Sequence, residues 1–443
     1  AAAPATALPP AEVPPPSEQL NMVVIGHVDA GKSTLVGRLL LMAGEVDERT
    51  MQRYEKEARA LNKGSFRYAW VMDQDAEERA RGVTIDVGCA FFRTARRLVN
   101  VLDAPGHKDF VPNMIGGAAR ADAALLVLNA ATGAFEAGLS AQTREHLLLA
   151  RSLGVSQLLV AVNQMDSVAW SQARYDEIVA QIVAIAQQSG FGRQPTCVPV
   201  SALAGLNLGP AWPPPAEAAS WVAGRSLLDA IDELQPQPHG STAGLRLCVA
   251  DAVHGSRLGP VAVSGTLQAG TLRPGQKLLL LPGAEVVHAK AVHSRGVAVT
   301  LATAGDHVEV GLVGCAADTS IAQGSVLCDP QRPVTLARQV EVRLRVFGVQ
   351  VPLTRGQPLE AYCHASSGSA TLRKIVAGLD EQGQPTATKP RCLRAHASAL
   401  VLVEFERPVC VQLHAECKPM GRLVLREAGA TLAAGVITRI QTA

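Results

Sequence analysis

Residues Gly26-His27-Val28-Asp29-Ala30-Gly31-Lys32-Ser33-Thr34 match G-x-x-x-x-G-K-[ST], the spacing of a phosphate-cradling loop. Such a loop needs a strand before it and a helix after it. Met22 to Ile25 is a short apolar run that suits a buried strand, and Leu35 to Leu41 is apolar at helical spacing. The glycines let backbone N–H groups approach phosphate oxygens, and the helix N-terminus adds positive potential. Lys32 is placed to reach the terminal phosphates and Ser33 to hold Mg²⁺. The competing interpretation is an ordinary glycine-containing turn.

Further segments name the base. Asp103-Ala104-Pro105-Gly106-His107 follows the apolar run Leu98 to Leu102. An Asp at a strand end can hold the metal through water, and a Gly N–H can meet a γ-phosphate. Asn163-Gln164-Met165-Asp166 follows the run Leu158 to Val162. A carboxylate at Asp166 only accepts, so it suits the N1–H and 2-amino donors of guanine. Adenine offers no such pair, which points to GTP over ATP. Ser201-Ala202-Leu203 follows Cys197 to Val200 and can complete the base pocket with backbone groups. Arg81-Gly82-Val83-Thr84-Ile85-Asp86 lies between the phosphate loop and Asp103, where Thr84 can close on Mg²⁺ and γ-phosphate as a switch. The expected metal ligands are Ser33, Thr84 and Asp103, and the expected cofactors are GTP or GDP with Mg²⁺.

With these boxes in order, the chain resembles the translational GTPases. The run Gly-His-Val-Asp-x-Gly-Lys-Ser-Thr and His107 after the Asp-x-x-Gly box carry the likeness. Gly64 to Trp70, Asp103 to Asn113 and Gln142-Thr143-Arg144-Glu145-His146 look like the elongation factor 1-alpha branch. Within it, Ala30 resembles the Hbs-type rescue and release-factor GTPases, Tyr68 to Asp73 the Hbs or elongation type, and Phe347 to Leu359 with its Pro-x-Thr-Arg-Gly turn the Hbs type. The resemblance implies that His107 orients the attacking water and that Val28 and Val83 hold it away beforehand. It implies work on the ribosome, with contact to ribosomal RNA, and a Pelota-type protein as the delivered partner. Delivery of aminoacyl-tRNA and a non-hydrolysing adaptor role in RNA decay are the alternatives. The expected place is the cytoplasm, and the expected free state is a monomer.

Two departures from the branch stand out. The guanine box usually reads Asn-Lys-x-Asp, and Gln164 replaces the Lys whose ammonium braces the phosphate loop. Weaker nucleotide binding is expected, with guanine choice kept by Asp166. Asn129 stands where the branch often has Asp, and the loop Phe135 to Gln142 lacks the usual Gly before Gln142-Thr143-Arg144-Glu145-His146.

The elements needed to hold these residues are legible in outline. Residues 1–20 are Ala/Pro-rich and read as a disordered linker. Residues 21–236 alternate apolar runs with helical periods, as a doubly wound, mostly parallel α/β domain does; Ile178, Ile182 and Ile185 mark one helix. Residues 241–331 and 334–443 show short strands with Gly/Pro turns, the cadence of two antiparallel β-barrels. The fold expected is a P-loop GTPase domain followed by those barrels. No apolar run approaches the roughly 18 residues of a spanning helix, so no membrane contact is expected. The nine cysteines are scattered and suit buried thiols in a reducing compartment. Cys363-His364 reads as core plus surface. Net charge is +2, yet Val334 to Ala443 holds 14 Lys and Arg against 8 Asp and Glu. A basic terminal barrel suits ribosomal RNA, an acidic partner or a solvated face alike.

Overall fold

A computed structural model describes residues 19–60, 67–72, 88–103, 115, 121–139, 141–222, 224–237, 244–315, 321–380, 382–386 and 390–441. Val83, Thr84, Ala104, Pro105, Gly106, His107 and Lys389 lie outside the described residues.

The first body is a six-stranded sheet. Its strands are β1 (Gln19–Ile25), β2 (Gly88–Arg93), β3 (Leu98–Asp103), β4 (Ala123–Asn129), β5 (Gln157–Asn163) and β6 (Thr196–Pro199). The order across the sheet is β2-β3-β1-β4-β5-β6, with only β2 antiparallel to its neighbour. Nearly continuous apolar runs form these strands because both faces are covered. On β1, Leu20, Met22 and Val24 join one core with Leu35, Val36 and Leu39 of α1 (Lys32–Met42). Val23 and Ile25 point the other way, into a second core with Leu147 and Leu149 of α4 and Ile178, Ile182 and Ile185 of α5. Here α2 is Glu48–Ala60, α3 Ala134–Gly138, α4 Ala141–Ser152, α5 Gln172–Gln188 and α6 Leu227–Asp232. Helix α5 starts after a 3₁₀ turn at Met165–Val168, where the Ser171 side chain accepts from the Arg174 N–H and caps it.

β1 begins at Gln19, two residues inside the expected linker. Gln19 and Leu20 pair with Leu98 and Val99 and are buried, so the alternation of β1 extends back to them.

Two closed antiparallel barrels follow. The first uses β7 (Arg246–Ser256), β8 (Gly259–Ala269), β9 (Lys277–Leu281), β10 (Glu285–Ser294), β11 (His307–Val313) and β12 (Val326–Cys328). The β9–β10 pairing closes it. The second uses β13 (Thr335–Val346), β14 (Pro358–Cys363), β15 (Ser366–Leu379), β16 (Ser398–Val411), β17 (Arg422–Glu427) and β18 (Ala430–Gln441), closed by β13–β18. Closure removes sheet edges. A shared cluster of Cys248, Cys328, Val334, Cys410, Cys417 and Met420 joins the two barrels, and Arg246 donates through Nε to Gln412 at 3.0 Å. All nine cysteines are free thiols. His364 is buried, not on the surface; its Nε2 meets the Cys410 carbonyl at 2.9 Å. Among the described residues, no helix is long and apolar enough to cross a membrane.

Candidate functional site

Several expected site residues lie at the C-terminal ends of parallel strands, where an open α/β sheet leaves a crevice for ligands. β1 ends at Ile25 and the chain turns through Gly26 to Gly31 into α1. Gly26 has φ +149°, and a Cβ there would sit 2.4 Å from the Val127 carbonyl oxygen of β4. Gly31 has φ +86° and caps α1 in the left-handed region; a Cβ would meet Asn163 Nδ2 at 2.5 Å. Both positions therefore require glycine on space and on backbone angle. No side chain caps α1 and no acid occupies its first turn. The first-turn amides and the positive end of the helix thus suit an anion.

Lys32 folds back over this loop, and its Nζ donates to the His27 carbonyl at 3.0 Å. It is buried, and that burial lowers its pKa, opposed by the charges of Asp103 and Asp29. A buried ammonium with donors to spare suits a phosphate that would hold it charged. Asp103 ends β3, fully buried, opposite Val24 of β1. It faces the same region as Lys32.

The base-recognition segment is tied to the phosphate loop by one side chain. Asn163 Nδ2 donates to the Ala30 carbonyl at 2.9 Å, and Asn163 Oδ1 accepts from the Ala202 N–H at 3.0 Å. Asn163 is buried, so each bond is shielded from water. Met165 is buried below, with its N–H on the Val200 carbonyl at 3.2 Å. Asp166 stays exposed beyond it. Ser201 and Ala202 are buried while Leu203 is 46% exposed, an apolar surface beside the pocket.

Gln164 sits in the left-handed region, φ 61°, and its Nε2 donates to the Asp29 carbonyl at 3.3 Å. The shorter amide thus still touches the loop, without the charge of a Lys. Asn129 likewise serves its turn, because Oδ1 accepts from the Ala131 N–H at 2.9 Å.

One residue of the site had no role in the sequence reading. His146 of α4 is fully buried, and burial with the nearby charges of Lys32 and His27 pushes its pKa down to about 3. It is neutral at ordinary pH. The Gln-Thr-Arg-Glu-His segment was visible, but its approach to Lys32 depends on helix packing. The next residue back, Glu145, faces the terminal barrel: its Oε1 accepts from Thr431 Oγ1 at 2.6 Å and from the Thr431 N–H at 3.2 Å. One turn of α4 thus lies within electrostatic reach of Lys32 and His27 and hydrogen-bonds to the barrel.

The model of the elongation factor Tu GTP binding domain matches residues 17–237, and that of the GTP-eEF1A C-terminal domain-like family matches residues 339–438. The chain is 41% identical over 426 residues to Protein HBS1 of Drosophila melanogaster, covering 95% of this chain and 63% of that protein. It is 36% identical over 428 residues to elongation factor 1-alpha of Thermofilum pendens, covering 96% and 98%. The solved GTPase-like domain of S. cerevisiae Ski7, bound to GTP, superposes with a TM-score of 0.80 at 17% identity, covering 95% and 97%; that likeness speaks for the fold.

Proposed function

The chain belongs to the elongation factor 1-alpha family of translational GTPases, and on that premise we propose that it hydrolyses GTP on the ribosome to deliver a Pelota-type protein to stalled ribosomes. The observation that carries the nucleotide reading is the Asn163 side chain, which joins the Ala30 carbonyl to the Ala202 N–H. That bond pair sets the guanine-reading Asp166 and the phosphate loop at one fixed spacing. The rescue branch draws its support from the likeness to Protein HBS1 and from the segment Phe347 to Leu359.

The residue roles follow from phosphoryl transfer, in which positioning and electrostatics dominate. The amides from Gly26 to Thr34 cradle the phosphates, and Lys32 leaves the His27 carbonyl to meet the terminal ones. Ser33, Thr84 and Asp103 are hard oxygen donors of the kind Mg²⁺ takes. Mg²⁺ supplies charge neutralisation across the β- and γ-phosphates when bound. His107 orients the attacking water, and Val28 and Val83 hold it back until the ribosome engages. Thr84 orders with GTP and relaxes with GDP. A weakened guanine box would suit a non-hydrolysing adaptor, and the contact that Gln164 keeps with Asp29 speaks against that reading.

Delivery of aminoacyl-tRNA is the second reading, favoured by relatives named elongation factor 1-alpha that match over nearly their full length. Capture from lysate with a non-hydrolysable GTP analogue separates the two. A Pelota-type protein in the eluate is the expected result; aminoacyl-tRNA in its place, with GTP-dependent protection of its ester bond, would move the assignment to tRNA delivery. The place of action is the cytoplasm in either case.

A further inference from the structure

Arg422 opens β17 of the terminal barrel, two residues before Val424, which is buried in the core of the GTP-binding domain. Its guanidinium lies directly on the backbone of Gly154, just past the end of α4. A Cβ at Gly154, φ +106°, would fall 2.2 Å from Arg422 Cζ, Nη1 and Nη2. The side chain therefore crosses the seam between the two bodies, half-buried. Among the described residues it makes no hydrogen bond or ion pair.

Its surroundings are cationic. Arg151, exposed on the last turn of α4, acts on Arg422, which burial and this neighbour push down to about 10. Burial, and after it the charges of Arg422, Lys418 and Arg343, lower the pKa of the half-buried His414. Glu416, in the same turn as His414 and Lys418, forms no ion pair with any of them among the described residues. Cations thus come from both sides of the seam, and among the described residues none of Arg151, Arg343, Lys418 and Arg422 forms an ion pair. Such a cluster opposes docking of the two bodies, and a half-buried guanidinium in water-poor surroundings ordinarily has an anionic partner.

We propose that this seam, formed by Arg151 on one side and Arg343, Lys418 and Arg422 on the other, binds a phosphate of an RNA backbone. A guanidinium fork matches phosphate oxygens bidentately, and a phosphate between Arg151 and Arg422 converts their repulsion into a bridge. The cations continue outward to exposed Lys418 and Arg343, so a strand with successive phosphates uses more of them than a single carboxylate does. The choice of RNA over an acidic protein rests on the ribosomal reading above.

Arg151, Lys418 and Arg343 are exposed, so their substitution leaves the core alone. Binding of a fluorescein-labelled oligouridine, followed by anisotropy between roughly 50 and 200 mM KCl, tests the seam directly. Arg151→Ala with Lys418→Ala is expected to weaken binding roughly tenfold and to lower the log–log salt slope by about 1.4, the value for two phosphate contacts on a single strand. Arg49→Ala with Arg53→Ala on α2 removes the same charge elsewhere and is expected to change little. Equal losses in both pairs, or none in the first, would overturn the proposal. Polyglutamate that binds as tightly as RNA and is equally sensitive to the first pair would overturn the assignment to RNA. Ribosome-stimulated GTP hydrolysis by the unaltered protein is measured separately, so failure of the translational reading leaves its own mark.

Discussion

Gln164 Nε2 donates to the Asp29 carbonyl oxygen at 3.3 Å, across 135 residues of sequence. The second position of the guanine box thus holds the tip of the phosphate loop through a neutral amide. Asp29 itself has φ 62°, a conformation that gains from a bond to its carbonyl.

Restoring the usual charge there should tighten the nucleotide. Gln164→Lys makes the contact with the loop charge-assisted and is expected to strengthen GDP binding by about 1 kcal/mol. Gln164→Ala is expected to speed GDP release. Displacement of a fluorescent guanine nucleotide reads both, and an unchanged off-rate in the alanine variant would refute the brace. ATP competing as well as GTP would refute the guanine assignment of Asp166.

Removing the tie between the two halves of the site should be more costly. Asn163→Ala leaves the Ala202 N–H and the Ala30 carbonyl without that partner in a buried place, a loss of about 2–4 kcal/mol for the pair. Nucleotide affinity should fall with it. Urea unfolding monitored with and without GDP measures the two effects; a variant as stable as the parent would show that the bonds matter little.

Catalysis and binding should separate at His107. His107→Ala is expected to bind GTP with nearly parental affinity and to lose ribosome-stimulated hydrolysis, because the side chain acts on water and not on the ground-state nucleotide. Multiple-turnover phosphate release with ribosomes and partner is the measurement. Should the parent itself show no stimulation, the adaptor reading replaces the enzyme.

Acid should weaken the fold through two buried imidazoles. Burial pushes His146 down to about 3 and His364 down to about 4, from an ordinary 6.5. The unfolded chain takes up these protons first, so folding is favoured by neither group's charge above pH 6.5 and is penalised below it. Between pH 6.5 and about 4 each group removes about 1.4 kcal/mol per pH unit. His364→Gln should flatten that slope by one group's share in a denaturant midpoint-versus-pH series. A slope unchanged by the substitution would place the acid sensitivity elsewhere.

Local spacing carried much of this protein's identity. The loop Gly26 to Thr34, Asp103, and the box Asn163 to Asp166 are contiguous words, and each follows a short apolar run that suits a buried strand. The helical period at Ile178, Ile182 and Ile185 and the Gly/Pro turns after residue 240 likewise follow from local rules, so the α/β domain and the barrels were legible. What tertiary structure decided are the meetings between distant segments. That Gln164 meets the phosphate loop depends on the left-handed turn at φ 61°, which spacing along the chain does not report. His364 read as surface because no periodicity reports that barrel packing seals it against Cys410. His146 comes near Lys32 only through helix packing within the GTP-binding domain, and Glu145 against Thr431 and Arg422 against Gly154 lie on elements brought together only when the terminal barrel docks on that domain. Electrostatics and burial act through space, and a linear chain records spacing only along itself.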